Sequence, residues 1–278
     1  MKSIQCQIPS SLYEALHQRM SADGLGSDDL IVDALAQYLG KSLHTLFQVS
    51  TSAALVEGLY QGAVRVSRLL RHGDFGLGTF VDLAGEMVVL NGVCYQIDPS
   101  GAVTTVEGDR FIPYAIVTRF APEFNKCFRQ IATFGELEEA CDSLRDSENH
   151  FYAFRIAGTF KFVKTRVMKA VTEGVGLKEA ASEQAEFVFE EIEGTLVGMW
   201  SPSFAKSFSV PGYHFHFLSS DRQHGGHVLA FQASNIEIDG CAMGEMHVSL
   251  PETEQFLQAD LSRDPNDDLK SAEQDHSS

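Results

Sequence analysis

The sequence predicts an α/β chain of the α+β-like kind: two strand-rich domains built on mixed, mostly antiparallel β-sheets, preceded by a small strand–helix–helix extension. Three observations lead there. The chain has 278 residues, about twice a common domain length, and 44% of them are apolar, enough for two cores without disulfide staples. From residue 43 to residue 250 short β-type runs alternate with Gly and Asp turns, and only a few stretches read as helix. Residues 1–41 follow a different pattern. There Ile4, Cys6 and Ile8 alternate with polar neighbours as in a short strand, and Pro9, Ser10 and Ser11 open a helix through about residue 20. Gly24 and Gly26 interrupt it. Ser27 caps a second helix striped by Leu30, Ala34, Leu35 and Leu39 and ended by Gly40.

Within residues 42–150 the runs at 63–70, 86–90, 93–97 and 115–120 read as strands, with helices at 52–60 and 135–145. Residues 151–250 add strands at 152–156, 160–167, 187–192, 195–199, 213–218, 228–233 and 246–250. Gly-Thr-(Phe/Leu) recurs at Gly78, Gly158 and Gly194, as recurrent sheet corners would require. Residues 251–278 hold eight acids against Arg263 and Lys270, the composition of a solvated, disordered tail.

The net charge of −17 repels phosphate and anionic lipid, which argues against nucleic acid and membrane as principal partners. No apolar run approaches the ~18 residues of a membrane span. No signal peptide is legible either, so a cytoplasmic location is expected. The five cysteines are odd in number, scattered and free of C-x-x-C pairs, and read as reduced thiols.

The chemistry concentrates in residues 213–228, YHFHFLSSDRQHGGHV. On a strand His214 and His216 share one face, with Tyr213, Phe215 and Phe217 on the other. A hairpin centred between Asp221 and Arg222 sets His216 opposite His227, so three imidazoles converge on one side of a ribbon and His224 falls at the solvent-facing tip. Three imidazoles with open positions are the ligand set of a catalytic zinc or a related divalent metal. Carbonic anhydrases and cupin oxygenases use related sets, although the Glu that cupins add after the second His is missing here. Residues 70–86, LRHGDFGLGTFVDLAGE, carry four glycines suited to close approach to a ligand, yet lack the signature of a phosphate loop.

Those strings, with TLFQVS at 45–50, IPYAIVTRF at 112–120 and FYAFRIAGTF at 151–160, resemble the α-acetolactate decarboxylase family over about residues 46–264. The resemblance implies zinc on His214, His216 and His227, and active-site roles for Glu86, Thr79, Arg166 and a C-terminal Glu matched by Glu273. It implies conversion of 2-acetolactate to acetoin and carbon dioxide, stereospecifically, by a homodimer of two α/β domains. The residues suit that chemistry. A zinc ion can act as Lewis acid for a developing enediolate, Arg166 can position the departing carboxylate, and Glu86 or Glu273 can deliver the proton. Without the resemblance Arg166 reads as a surface cation and Glu86 as a solvated carboxylate; Arg155 is the second-choice cation. If Glu273 reaches the metal, the tail folds back over the site.

Residues 1–41 resemble a ribbon-helix-helix module, which implies dimerisation and often DNA reading. Their charge of −2, with Asp28 and Asp29 where a phosphate would dock, favours dimerisation or packing. Two alternatives stay open: another three-His metalloenzyme, oxygenase or hydrolase, and a DNA-binding metabolite sensor.

Overall fold

A computed structural model describes residues 4–23, 26–39, 44–172 and 174–273, and the chain divides into two compact units, Met1–Leu43 and His44–Ser278. In the first, α1 (Ser10–Asp23) and α2 (Ser27–Tyr38) form where the caps predict, and the Pro9 carbonyl accepts from the Leu12 and Tyr13 N–H groups at 3.0 Å. The strand expected over residues 4–8 is absent. Residues 4–9 have no regular structure, because alternation makes a strand only beside a hydrogen-bonding neighbour and no described strand pairs with them. Gly24, Gly40 and Lys41 lie outside the described residues.

The second unit runs β1 (Thr45–Val49), α3 (Ser52–Val56), β2 (Val64–Arg65), α4 (Val66–His72), β3 (Phe75–Thr79), β4 (Glu86–Leu90), β5 (Val93–Ile97) and β6 (Val103–Thr105). It continues through β7 (Phe111–Ile112), β8 (Tyr114–Thr118), β9 (Phe124–Ile131), α5 (Phe134–Asp142), β10 (Phe151–Val167), α6 (Leu177–Ala181) and β11 (Ala185–Ser201). It ends with β12 (Gly212–Ser219), β13 (Gly225–Met243), β14 (Glu245–Ser249), α7 (Glu254–Gln258) and α8 (Asn266–Glu273). The fold is α+β with mixed sheets. A seven-stranded sheet has the order β14-β1-β8-β3-β4-β5-β6, parallel at β14–β1 and antiparallel elsewhere. In the second sheet β10 pairs with β11 and β13, β11 with β12, and β12 with β13, so four strands close a ring to which β9 adds along β13. The sheets exchange strands across residue 150: β9 joins the ring, while β14 returns to β1.

Three apolar layers follow. Leu77, Val88, Ile116, Val197, Met199 and Leu218 fill the space between the two sheets. Phe154, Phe160, Phe215, Phe217 and Phe231 fill the ring, with Leu137 and Cys141 of α5. Phe47, Val66, Leu69 and Val117 cover the far face of the seven-stranded sheet.

Several elements differ from the sequence pattern for identifiable reasons. Residues 63–70 form a two-residue strand and a helix, since Val64 and Val66 fit a period of two, while Val66 and Leu69 bury with helical spacing. The helix expected over 52–60 stops at Val56 as Gly58 turns to a φ of +79°. The glycine-rich 70–86 stretch, whose glycines read as suited to close approach to a ligand, contains strand β3. A Cβ on Gly76 would lie 2.0 Å from the Ile116 carbonyl oxygen, so glycine there serves close approach of β8. Gly158 and Gly194, read as sheet corners, sit opposite each other in the β10–β11 register. Both lie inside continuous 17-residue strands, and opposite Gly158 strand β13 carries a bulge with Asn235 at φ +52°. The acidic tail is not a loose end: α8 packs on α3 and α6, with Leu269 1% exposed. The five cysteines are free thiols.

Candidate active site and metal centre

The hairpin register puts the histidines together. His216 pairs with His227 across β12–β13, and the alternation of β12 sends His214 to the same face, while Tyr213, Phe215 and Phe217 pack on the ring core. His214 Nε2 lies 3.1 Å from His216 Nε2 and 3.0 Å from His227 Nδ1, so three ring nitrogens crowd one point. His216 Nδ1 is 2.7 Å from the Met87 carbonyl oxygen. A carbonyl only accepts, so Nδ1 carries the proton and Nε2 turns its lone pair toward the other two rings. Burial first, and the Arg166 cation second, push the His214 pKa down from 6.5 to about 3, which keeps that ring neutral. His224 is half-buried instead of solvent-facing, its ring 4.6 Å from that of Phe189.

Arg166 reaches the same place because it is the cross-strand neighbour of His227 on β10. Glu86 arrives from the opposite sheet, at the start of β4, the strand that also supplies the Met87 carbonyl. Neither is a surface group: Arg166 is 3% and Glu86 4% exposed. Glu86 Oε1 accepts from the Met168 N–H at 3.2 Å and lies 3.7 Å from Arg166 Nη1, while Oε2 lies 3.5 Å from His216 Nε2. Thr79 pairs with Glu86 across β3–β4, and its hydroxyl donates to the Gly85 carbonyl at 2.9 Å, fastening the turn that delivers Glu86. Arg155 is elsewhere, in a 2.6 Å ion pair with Asp239. Glu273 ends α8, and its side chain lies outside the described residues.

The pocket formed this way lies between the sheets, lined on its polar side by Thr79, Glu86, Arg166 and the three histidines. Leu55, Leu83, Met168, Leu177 and Val210 supply an apolar wall. A sequence model of the family described as alpha-acetolactate decarboxylase matches residues 46–263. The chain belongs to that family. An alpha-acetolactate decarboxylase of Methanosarcina mazei is 39% identical over 229 residues, covering 82% of this chain and 80% of the relative. That of Methylococcus capsulatus is 36% identical over 256 residues, covering 88% and 98%. The crystal structure of the alpha-acetolactate decarboxylase of Bacillus subtilis superposes with a TM-score of 0.80 at 32% identity, covering 83% of this chain and all of that one. The chain is accordingly an enzyme, with acetolactate decarboxylation as its activity.

The decarboxylase pocket also contains residues that the sequence pattern did not single out for the site. Tyr114 is the cross-strand neighbour of Thr79 and lines the cavity; its motif was visible in IPYAIVTRF, but nothing in a strand pattern says which face meets a ligand. Leu55 and Leu177 come from two five-residue helices far apart in sequence, a convergence that no local signal encodes. Among the described residues the three histidines are the group of metal-ligating side chains that could hold an ion.

Proposed function

We propose that the chain converts 2-acetolactate to acetoin and carbon dioxide at the His214–His216–His227 centre, with zinc as its metal. The observation that carries this reading is the convergence of three ring nitrogens beside a buried Glu86–Arg166 pair. Zinc–nitrogen bonds of roughly 2.0–2.1 Å set tetrahedral ligands about 3.3 Å apart, close to the spacings found here. All three donors are imidazoles and one is held as the correct tautomer, a donor set that fits zinc. Zinc held there supplies Lewis acidity for the electron pair that the departing carboxylate leaves behind.

The side chains do the rest. Arg166, a permanent cation held within the pocket, binds and orients the substrate carboxylate. The apolar wall of Leu55, Leu83, Met168, Leu177 and Val210 receives the methyl groups and excludes water. Glu86 is fixed on one side of the pocket by the Met168 N–H and Arg166, so a proton that it hands over reaches one face of the reacting carbon and sets the handedness of acetoin. Glu273 is the second carboxyl with a claim to that step, and Thr79 acts by holding the Glu86 turn. We read the enzyme as cytoplasmic and homodimeric. The free thiols support the first reading, and no helix among the described residues is long and apolar enough to cross a membrane.

The test is acetoin formation from 2-acetolactate before and after treatment with a chelator. Activity should vanish with the metal and return with zinc. Full activity without metal would overturn the metal's role, and a zinc-loaded protein that forms no acetoin would overturn the assignment.

A further inference from the structure

The sheet does not hold the three histidines equally. β12 pairs with β13 through His216, Phe217 and Leu218, and there His216 and His227 fix each other in the ladder. His214 lies two residues before that ladder, third in its strand, and among the described residues pairs only with Met199 of β11. A strand held along one edge and close to its end opens more readily than its centre. The opposite face of the strand carries an anchor at this point. Tyr152, Trp200 and Tyr213 are cross-strand neighbours on β10, β11 and β12, and the adjacent row is Ala153, Met199 and His214. Arg145, just after α5, lies over the aromatic row, its guanidinium carbon 3.6 Å from the centre of the Trp200 ring. The Arg145 side chain is only 4% exposed. Its Nε donates to the Tyr213 hydroxyl at 3.0 Å, that hydroxyl donates to Asp142 Oδ1 at 2.6 Å, and Arg145 Nη2 donates to the same carboxylate.

We infer that Tyr213 and Arg145 are positioning residues for His214: their network fixes the start of β12 from the ring side and holds the imidazole where the other two rings need it. The inference rests on the metal centre proposed above. An ion pair with a nearly buried cation adds little net stability over apolar packing, but it admits one arrangement of its partners, whereas an aromatic row alone can slide. His214 Nε2 is within 3.1 Å of the nearest nitrogen of each partner ring. Metal–ligand distances tolerate only about 0.2 Å, so a small shift at the start of β12 is felt as metal affinity. Groups that orient a ligating histidine typically set roughly 10–100-fold in affinity, and Tyr213 acts one residue away through the backbone, near the lower figure. Arg145, Asp142 and Tyr213 do not line the pocket, so the network meets the metal ligand and not the substrate.

The test is the zinc dissociation constant of wild type, Y213F, R145M and R155M by competition against a chromophoric chelator, with the absorption spectrum of each cobalt(II) form and each thermal midpoint. Y213F removes one hydroxyl and keeps the ring, and it decides the question alone should R145M fail to fold. R155M breaks the Arg155–Asp239 pair in the same sheet and reports what loss of an ion pair does by itself. Y213F and R145M should bind zinc about tenfold more weakly than wild type and shift the cobalt bands, while R155M matches wild type in both whatever its thermal midpoint. Wild-type zinc affinity and cobalt spectra in Y213F would overturn the inference and leave the metal centre intact, as would a loss in R155M as large as theirs. A wild-type chain that binds no zinc would overturn the metal centre and the inference with it.

Discussion

Individual residues in this pocket act through pairs. Glu86 and Arg166 are both buried and lie 3.7 Å apart, so removal of either charge strands the other. The informative change to Glu86 is the isostere, which also removes the charge but keeps the volume, so its thermal midpoint is measured beside its kinetics. E86Q should lower kcat by at least ~100-fold, the scale of a lost acid–base group, while bound zinc stays at one per chain by metal analysis. R166K keeps the charge and loses the planar fork; kcat/KM should fall by at least about tenfold, and wild-type kinetics in R166K would remove the carboxylate from that residue. His214 gives a pH signature in the chelated protein. Its ring stays neutral in the fold down to about pH 3, whereas the unfolded chain takes up the proton near 6.5. Between those values the unfolded state binds more protons, so stability falls as pH drops, by up to about 1.4 kcal/mol per pH unit from this group. Denaturant melts of H214Q against wild type should differ in slope across that window and run parallel above it.

At the scale of elements, the β12–β13 hairpin was legible because a turn centre and a period of two fix a register, and the pairing of His216 with His227 follows from them. Strand–helix ambiguity at 63–70 was not resolvable locally, since Val64 and Val66 fit a period of two, Val66 and Leu69 fit helical spacing, and the sheet face above them chose the helix. The acidic tail misled for a related reason. Its charges dominate the composition, but Leu269 and Ala272 of α8 supply the small apolar face that docks on α3 and α6. Those two helices carry Leu55 and Leu177 of the pocket wall. L269A should therefore cost about 2–5 kcal/mol, the range for a truncated buried leucine, and also raise KM for 2-acetolactate. A loss of stability with KM unchanged would uncouple α8 from the site.

For the whole molecule, the site exists because two sheets face each other: the seven-stranded sheet brings Glu86 and Thr79, and the ring brings the histidines and Arg166. The net charge of −17 describes the exterior, whereas an anionic substrate would meet Arg166 inside. The same exterior predicts that the full chain does not retard duplex DNA in a gel shift even at low salt, where phosphate contacts are strongest. Retention there would revive a nucleic-acid role for the N-terminal unit.

The sequence by itself determined the histidine face, the strand-rich character of residues 43–250, the acidic composition and, through its motifs, the family. These are local or compositional properties, carried by periodicity, turn chemistry and short strings. Only the tertiary structure decided that Glu86 and Arg166 are buried partners, that Tyr114, Leu55 and Leu177 line the pocket, and that the acidic tail is a docked helix. Each of those depends on which residues distant along the chain meet across a sheet interface, and burial there is set by the opposing surface, which no local pattern contains.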